Sequence, residues 1–197
     1  ILNNDANIDY IFPLDADEFI YCPSREKLNA FLTLIPQNRV GMYTWRGYLP
    51  HSTEYDPDFI FHFTDQRKEE ILTPKVIIPR AVAETCTLTI GSHSVRNAEG
   101  KEVQSSVFIA PNSANYYYWF IERFNAKFIE TDDLWLGHYP IRSTIQQIKK
   151  VLEKSITMVM EKKGYRDSAW ENQLRDLLAH NLDISLDELR LIAYNYR

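Results

Sequence analysis

The chain has 197 residues, of which 45% are hydrophobic and 25% are charged, as expected for one globular domain or slightly more. Its formal net charge of −5 supplies no basic field, which argues against a nucleic acid partner. No apolar stretch reaches the roughly 18 residues that span a bilayer, and Cys22 and Cys86 fit no metal-binding spacing, so we predict a reduced, cytoplasmic setting with at most peripheral membrane contact.

The first predicted element is a short apolar strand over 10–14, and three acids follow it: Asp15, Asp17 and Glu18. Buried carboxylates are costly unless they are paired or bind a cation. Because Asp15 and Asp17 are two positions apart, an extended backbone places their side chains on one face. Two oxygen donors on one face suit Mg²⁺ or Mn²⁺, which predicts a metal site at the end of the strand. The alternatives are a solvated turn and a helix cap with Glu18 in the first turn.

A helix is predicted next, from the Ser24 cap to Leu34, where an apolar face ends at Pro36. Alternating side chains over 39–49 predict a strand. The segment 50–58 that follows is rich in turn residues and carries three acids: Glu54, Asp56 and Asp58.

A second apolar strand, over 72–79, carries Lys75. This lysine either reaches the surface along its aliphatic stem or brings a positive charge to a ligand. A short strand over 86–90 leads to His93 in a turn, where a neutral imidazole is available to ligate a metal ion or to hydrogen-bond an acceptor. A hairpin-like turn over 97–101 then predicts a returning strand over 103–109.

Two short strands, 127–130 and 134–136, deliver His138. Arg142 and Ser143 then stand at the start of a helix, where a guanidinium and the positive end of the helix dipole suit a phosphate group. The alternative for Ser143 is a helix cap, with an incidental histidine nearby.

The end of the chain is predicted to be helical over 144–163, 167–182 and 186–196. Ser185 and Glu188 form a capping box for the last of these helices. The apolar stripe predicted for the first comprises Ile145, Ile148, Val151, Leu152, Ile156, Val159 and Met160.

Three motifs occur in the order of a known family. The sequence of 14–19, LDADEF, resembles the DxD motif of GT-A-fold glycosyltransferases, and is most similar to the family-2-like group with a D-x-D-E-F motif. Residues 75–80, KVIIPR, followed by His93, fit the same group. Residues 138–143, HYPIRS, resemble its HY-x-x-KS motif, with Arg142 in place of the lysine. The resemblance covers about Asp9 to Lys150.

The resemblance implies an α/β fold: a partial GT-A (nucleotide-diphospho-sugar transferase) fold with a mixed sheet, flanking helices and a helical C-terminal tail. It implies a catalytic portion over 1–143 and a helical extension over 144–197 that packs on the same domain. The implied metal ligands for Mn²⁺ or Mg²⁺ are Asp15, Asp17 and one of the two histidines, His138 or His93. The residues implied for the donor diphosphate are Lys75, Arg142 and Ser143.

The implied reaction moves a sugar from a nucleotide-diphospho-sugar donor to an acceptor hydroxyl on a glycan or a lipid-linked acceptor. An inverting enzyme also needs a carboxylate base, for which the candidates are Glu54, Asp56 and Asp58. In the resembling group a nucleotide-binding half precedes the DxD strand, whereas residues 1–8 are too few for a βαβ unit. We therefore expect a chain that lacks most of that half and binds a nucleotide sugar below full affinity. The alternative is a non-catalytic carbohydrate-binding or scaffold module derived from such a domain.

Overall fold

The computed structural model describes residues 7–54, 56–58, 71–110, 117–160, 169–180 and 182–194. The fold is α/β, with a mixed sheet and several helices, so the predicted fold class is confirmed at that level. The chain divides into two compact units: one comprises Ile1–Arg46 with Glu69–His138, and the other Gly47–Lys68 with Tyr139–Arg197. The division into functional portions at 143 stays a prediction.

The first unit is organised by a sheet that has seven strands within the described residues. They are β1 (Tyr10–Ile11), β2 (Glu18–Tyr21), β3 (Val40–Gly47), β4 (Ile71–Pro79), β7 (Ser105–Ile109), β8 (Lys127–Glu130) and β9 (Trp135–His138). Strands β1, β4, β3, β7 and β8 lie side by side in that order, while β9 pairs with both β2 and β3. The pairing is antiparallel for β1–β4, β3–β4 and β2–β9, and parallel for β3–β7 and β7–β8.

Helices and a small second sheet complete this unit. The helices are α1 (Arg25–Thr33), α2 (Arg80–Ala83) and α3 (Tyr117–Phe124), and the small sheet pairs β5 (Thr87–Leu88) with β6 (Val95–Arg96). The Ser24 cap of α1 is confirmed, since its side chain accepts a hydrogen bond from the Lys27 N–H. Buried side chains fill the space beneath α1, among them Ile35, Tyr43 and Phe108.

Three predicted strands differ from those observed. The predicted strand over 10–14 ends at Ile11, because Pro13 has no N–H to donate and Leu14 is exposed. The strand predicted over 86–90 is reduced to β5. The strand predicted over 103–109 begins at Ser105 and pairs in parallel with β3 instead of returning as a hairpin, because all five of its residues are buried, as in a central strand.

Gly41, on strand β3, packs closely against the side chains of Ile35 and Ile77. A Cβ atom at this position would lie 2.5 Å from Cδ1 of Ile35 and 3.0 Å from Cβ of Ile77. We therefore expect Gly41→Ala to lower the free energy of unfolding by about 1–3 kcal/mol, as measured by urea denaturation. Adding Ile35→Val removes the nearest atom, so the double variant should be more stable than the sum of the two single effects predicts. If the effects of the two substitutions simply add, the clash is relieved by movement of atoms other than Cδ1 of Ile35.

The second unit is helical in its described part: α4 (Thr144–Met160), α5 (Ala169–Ala179) and α6 (Leu186–Tyr194). The capping box is confirmed, because the Glu188 N–H donates to Ser185 Oγ and the Ser185 N–H donates to Glu188 Oε2. The core of the unit includes Ile141, Val151, Leu177 and Leu189.

The apolar stripe predicted for α4 is only partly correct. Val151 is buried and Ile148 is half-buried, but three members of the predicted stripe are exposed: Ile145 (73%), Leu152 (41%) and Ile156 (57%). The side chains of Val159 and Met160 lie outside the described part. Two polar side chains, Gln147 and Ser155, are buried instead, because the helix is turned so that positions 147, 151 and 155, each four residues apart, face the core.

Among the helices that the structure describes, we find none that combines the length and the apolar character needed to cross a membrane.

Candidate functional site

The acidic turn, residues 15–18, is closed on itself by Glu18. The Glu18 N–H donates to the Asp15 carbonyl over 3.1 Å, and the Asp15 N–H donates to Glu18 Oε2 over 2.9 Å. Glu18 also begins strand β2, so one residue fixes both the turn and the entry to the strand. The side chain of Asp15 is 62% exposed, whereas that of Glu18 is fully buried. The turn therefore presents one acid to solvent and hides another beneath it.

Lys75 supplies the positive charge beneath this turn. It lies on β4, is fully buried, and places Nζ 2.7 Å from Asp15 Oδ2 and 3.3 Å from Glu18 Oε2. A buried ammonium is costly without such partners. The Lys75 ammonium is thus held by two carboxylates, and its predicted contact with a donor diphosphate stays a prediction.

Glu18 is the member of this cluster that the sequence did not single out. Burial raises the pKa of its carboxyl, although the hydrogen bond from the Asp15 N–H and the Lys75 charge act in the opposite direction. Its Oε1 atom has no hydrogen-bond partner in the described part of the chain. Tyr43 lies opposite Lys75 in the β3–β4 ladder, and burial together with the Glu18 charge raises the pKa of its hydroxyl. The sequence signal for Glu18 was its position as the third acid of the motif, directly before the chain becomes apolar again.

The raised pKa of Glu18 predicts a specific dependence of stability on pH. The folded chain keeps the Glu18 proton where the unfolded chain, with a pKa near 4.5, has released it. The free energy of unfolding therefore falls as the pH rises from that value through the folded pKa. We expect the wild type to lose stability over this range relative to Glu18→Gln, as measured by urea denaturation at a series of pH values. A difference between the two proteins that stays constant from about pH 4 to pH 8 would contradict this assignment.

His138 lies beside the acidic turn. Strands β2 and β9 pair it with Glu18, and its Nε2 atom lies 4.0 Å from Asp17 Oδ2. The imidazole stacks on the Trp45 ring with centroids 4.0 Å apart and an interplanar angle of 22°. Because Trp45 is itself buried, this stacking fixes the plane of the imidazole.

His93 is engaged differently. Its Nδ1 lies 2.8 Å from the Pro74 carbonyl, and because a carbonyl only accepts, Nδ1 carries the proton in this bond. Its ring meets Trp45 edge-on, with centroids 5.9 Å apart. A Cβ atom at Gly91 would lie 2.7 Å from His93 Nε2, so the other ring nitrogen packs against the Gly91 backbone. Of the two candidate histidines, the structure brings His138 next to an acid of the turn.

The side-chain donor atoms of this cluster supply only part of the ligands that a divalent ion needs. Two metal–ligand bonds of about 2.1 Å each can span the gap between Asp17 and His138. A carboxylate and an imidazole together suit Mn²⁺. In the residues that the structure describes, no group of three or more His, Cys, Asp or Glu side chains could hold a metal ion. Asp17 and His138 are therefore the fitting pair, and water and substrate phosphate would complete the coordination.

Arg142 and Ser143 belong to the second unit and cap α4. Ser143 Oγ accepts from the Gln146 N–H over 3.2 Å, and the Arg142 N–H donates to Gln146 Oε1 over 2.6 Å. The capping alternative for Ser143 is therefore observed, and its hydroxyl is buried. The predicted diphosphate contacts of both residues stay predictions.

The three candidate bases also lie in the second unit. Asp56 has the most defined surroundings: its Oδ2 lies 3.3 Å from His51 Nε2, and its Oδ1 accepts from the Asp58 N–H over 2.9 Å. The Glu54 N–H donates to Ser52 Oγ. A base role for Glu54, Asp56 or Asp58 stays a prediction.

Comparison with known proteins adds no relative: no family model matches the chain, and neither a curated protein nor a solved structure matches it.

Proposed function

We propose that this chain is a metal-dependent glycosyltransferase with a partial GT-A fold. It moves a sugar from a nucleotide-diphospho-sugar donor to an acceptor hydroxyl on a glycan or a lipid-linked acceptor, in a cytoplasmic setting with at most peripheral membrane contact. One observation carries the proposal. Residues from three distant segments, which the family resemblance implies for the donor site, lie in one cluster: Asp15 is 2.7 Å from Lys75, and Asp17 is 4.0 Å from His138.

Asp17 and His138 would hold Mn²⁺ or Mg²⁺. When bound, the ion supplies positive charge that offsets the charge of the leaving nucleoside diphosphate. The protein's part is to hold these two side chains still before a donor arrives. Glu18 closes the turn that carries Asp17, and Trp45 fixes the plane of the His138 ring.

The charge balance of the cluster explains why the donor would need a cation. The cluster contains three carboxylates, those of Asp15, Asp17 and Glu18, and among the described residues its one ammonium is that of Lys75, so it keeps an excess of negative charge. A diphosphate approaching it alone would be repelled, and a divalent ion reverses the sign of that interaction. Donor binding should therefore depend strictly on the metal.

The experiment that tests the proposal measures nucleoside diphosphate released from a panel of nucleotide sugars, with Mn²⁺ and with a chelator. We expect Mn²⁺-dependent release from at least one donor. His138→Asn should reduce it by about 10–100-fold through weaker metal affinity, whereas His93→Asn is the matched control and should stay close to wild type. Release that persists in chelator, or equal losses in the two variants, would contradict the proposal.

One observation favours the alternative of a non-catalytic carbohydrate-binding or scaffold module. The charge of Lys75 is already taken up by Asp15 and Glu18, which leaves a smaller part of it for a phosphate group. Such a module would bind a glycan with the same affinity in Mn²⁺ and in chelator. Measuring glycan affinity under both conditions separates the two functions.

A further inference from the structure

The ammonium of Lys75 lies where two carboxylates converge. Its Nζ is 2.7 Å from Asp15 Oδ2 and 3.3 Å from Glu18 Oε2, and the whole side chain is buried. An ammonium is a compact point charge, and carboxylate oxygens gather around it much as they gather around a small cation. The position between Asp15 and Glu18 is therefore a cation-binding site that the Lys75 ammonium occupies.

We infer that Lys75 is the built-in cation of the acidic turn, filling the place that an external divalent ion would otherwise take between Asp15 and Glu18. While Lys75 is present, an external ion is confined to the side of the turn that carries Asp17 and His138. The wild type therefore binds no more than one Mn²⁺ in this cluster. The inference goes beyond the proposed function, because it holds whether or not the chain transfers a sugar.

The burial of Glu18 explains why this place must be filled. A fully buried carboxylate without a counter-charge is strongly destabilising, so above the pKa of Glu18 the fold needs a cation there. Glu18 Oε1 has no hydrogen-bond partner among the described residues, which leaves this carboxylate able to bind through its second oxygen. An ion that replaced the ammonium would therefore meet Asp15 Oδ2 and Glu18 Oε2.

The test is a count of bound Mn²⁺ per chain by electron paramagnetic resonance, with Mn²⁺ alone as the probe. We expect Lys75→Met to bind one more Mn²⁺ per chain than the wild type, and its melting temperature to rise as Mn²⁺ is added. The double variant Lys75→Met/Glu18→Gln lacks the buried charge, so it should fold well and bind no additional ion. Lys101→Met removes an exposed lysine paired with Glu99 and is the matched control, with the wild-type count.

Equal Mn²⁺ counts in Lys75→Met and the wild type would overturn the inference. The same holds if Lys75→Met stays unfolded at saturating Mn²⁺ while the double variant folds, because the ion then fails to replace the ammonium. A wild type that binds no Mn²⁺ contradicts the proposed metal-dependent function alone. The inference still stands in that case if Lys75→Met gains one ion, so the two failures are distinguishable.

Discussion

Replacing Lys75 with methionine is expected to lower the free energy of unfolding by about 3–5 kcal/mol, because the change removes one partner of a buried ion pair and leaves the Glu18 carboxyl buried without its counter-charge. The side chains of Lys75 and Glu18 are both fully buried, so water cannot take over the lost interaction. Methionine keeps most of the lysine volume, which limits any cavity. Urea denaturation at neutral pH in chelator measures the loss.

Two further variants make this prediction specific. Lys101→Met breaks an exposed pair with Glu99 and should cost no more than about 1 kcal/mol. Lys75→Met/Glu18→Gln removes both buried charges and should recover much of the stability lost in the single variant. A loss below about 1 kcal/mol for Lys75→Met would mean that Glu18 is not held by this ammonium.

Replacing Asp17 with asparagine should reduce metal-dependent release of nucleoside diphosphate by about 10²–10³-fold, because a neutral amide is a poorer ligand and provides no charge to hold the ion. The substitution preserves the shape of the side chain, and Asp15 and Glu18 still hold Lys75, so the ion pairs of Lys75 should be kept. Kinetics over a range of Mn²⁺ concentrations measure the effect, and part of the lost rate should return at high Mn²⁺.

Asp132→Asn is the matched control for this substitution. Asp132 is an exposed acid of the same unit and pairs with Arg46 over 3.3 Å. We expect this variant to keep the wild-type rate at every Mn²⁺ concentration. An equal loss in both variants would attribute the effect to the net charge of the surface, and the assignment of Asp17 would be contradicted.

Local features of this fold could be predicted from the sequence. The Ser24 cap and the Ser185–Glu188 capping box were predicted correctly, because capping involves residues within one turn of each other. Strand β4, which carries Lys75, was predicted from its apolar run. Caps and the extent of a single strand depend on residues close together in the chain, so they can be predicted from the sequence.

Long-range pairing could not be predicted in the same way. Lys75 follows Asp15 by 60 positions, and neither alternative for it, a surface lysine or a lysine facing a ligand, placed its ammonium against both Asp15 and Glu18. The parallel pairing of β7 with β3 was missed because a nearby turn signal favoured a hairpin. The orientation of α4 was missed because its apolar stripe outweighed Gln147, which tertiary packing buries. In each case, the outcome depends on a partner distant in the chain.

We propose that Asp17 and His138 hold a divalent ion to which a nucleoside diphosphate binds. Calorimetric titration of a nucleoside diphosphate into the wild type and into Asp17→Ala, each in Mn²⁺ and in chelator, tests it most directly. We predict heat of binding only for the wild type in Mn²⁺, and its loss in Asp17→Ala. Binding of equal affinity in chelator, or an Asp17→Ala variant that binds as the wild type does, would contradict the claim.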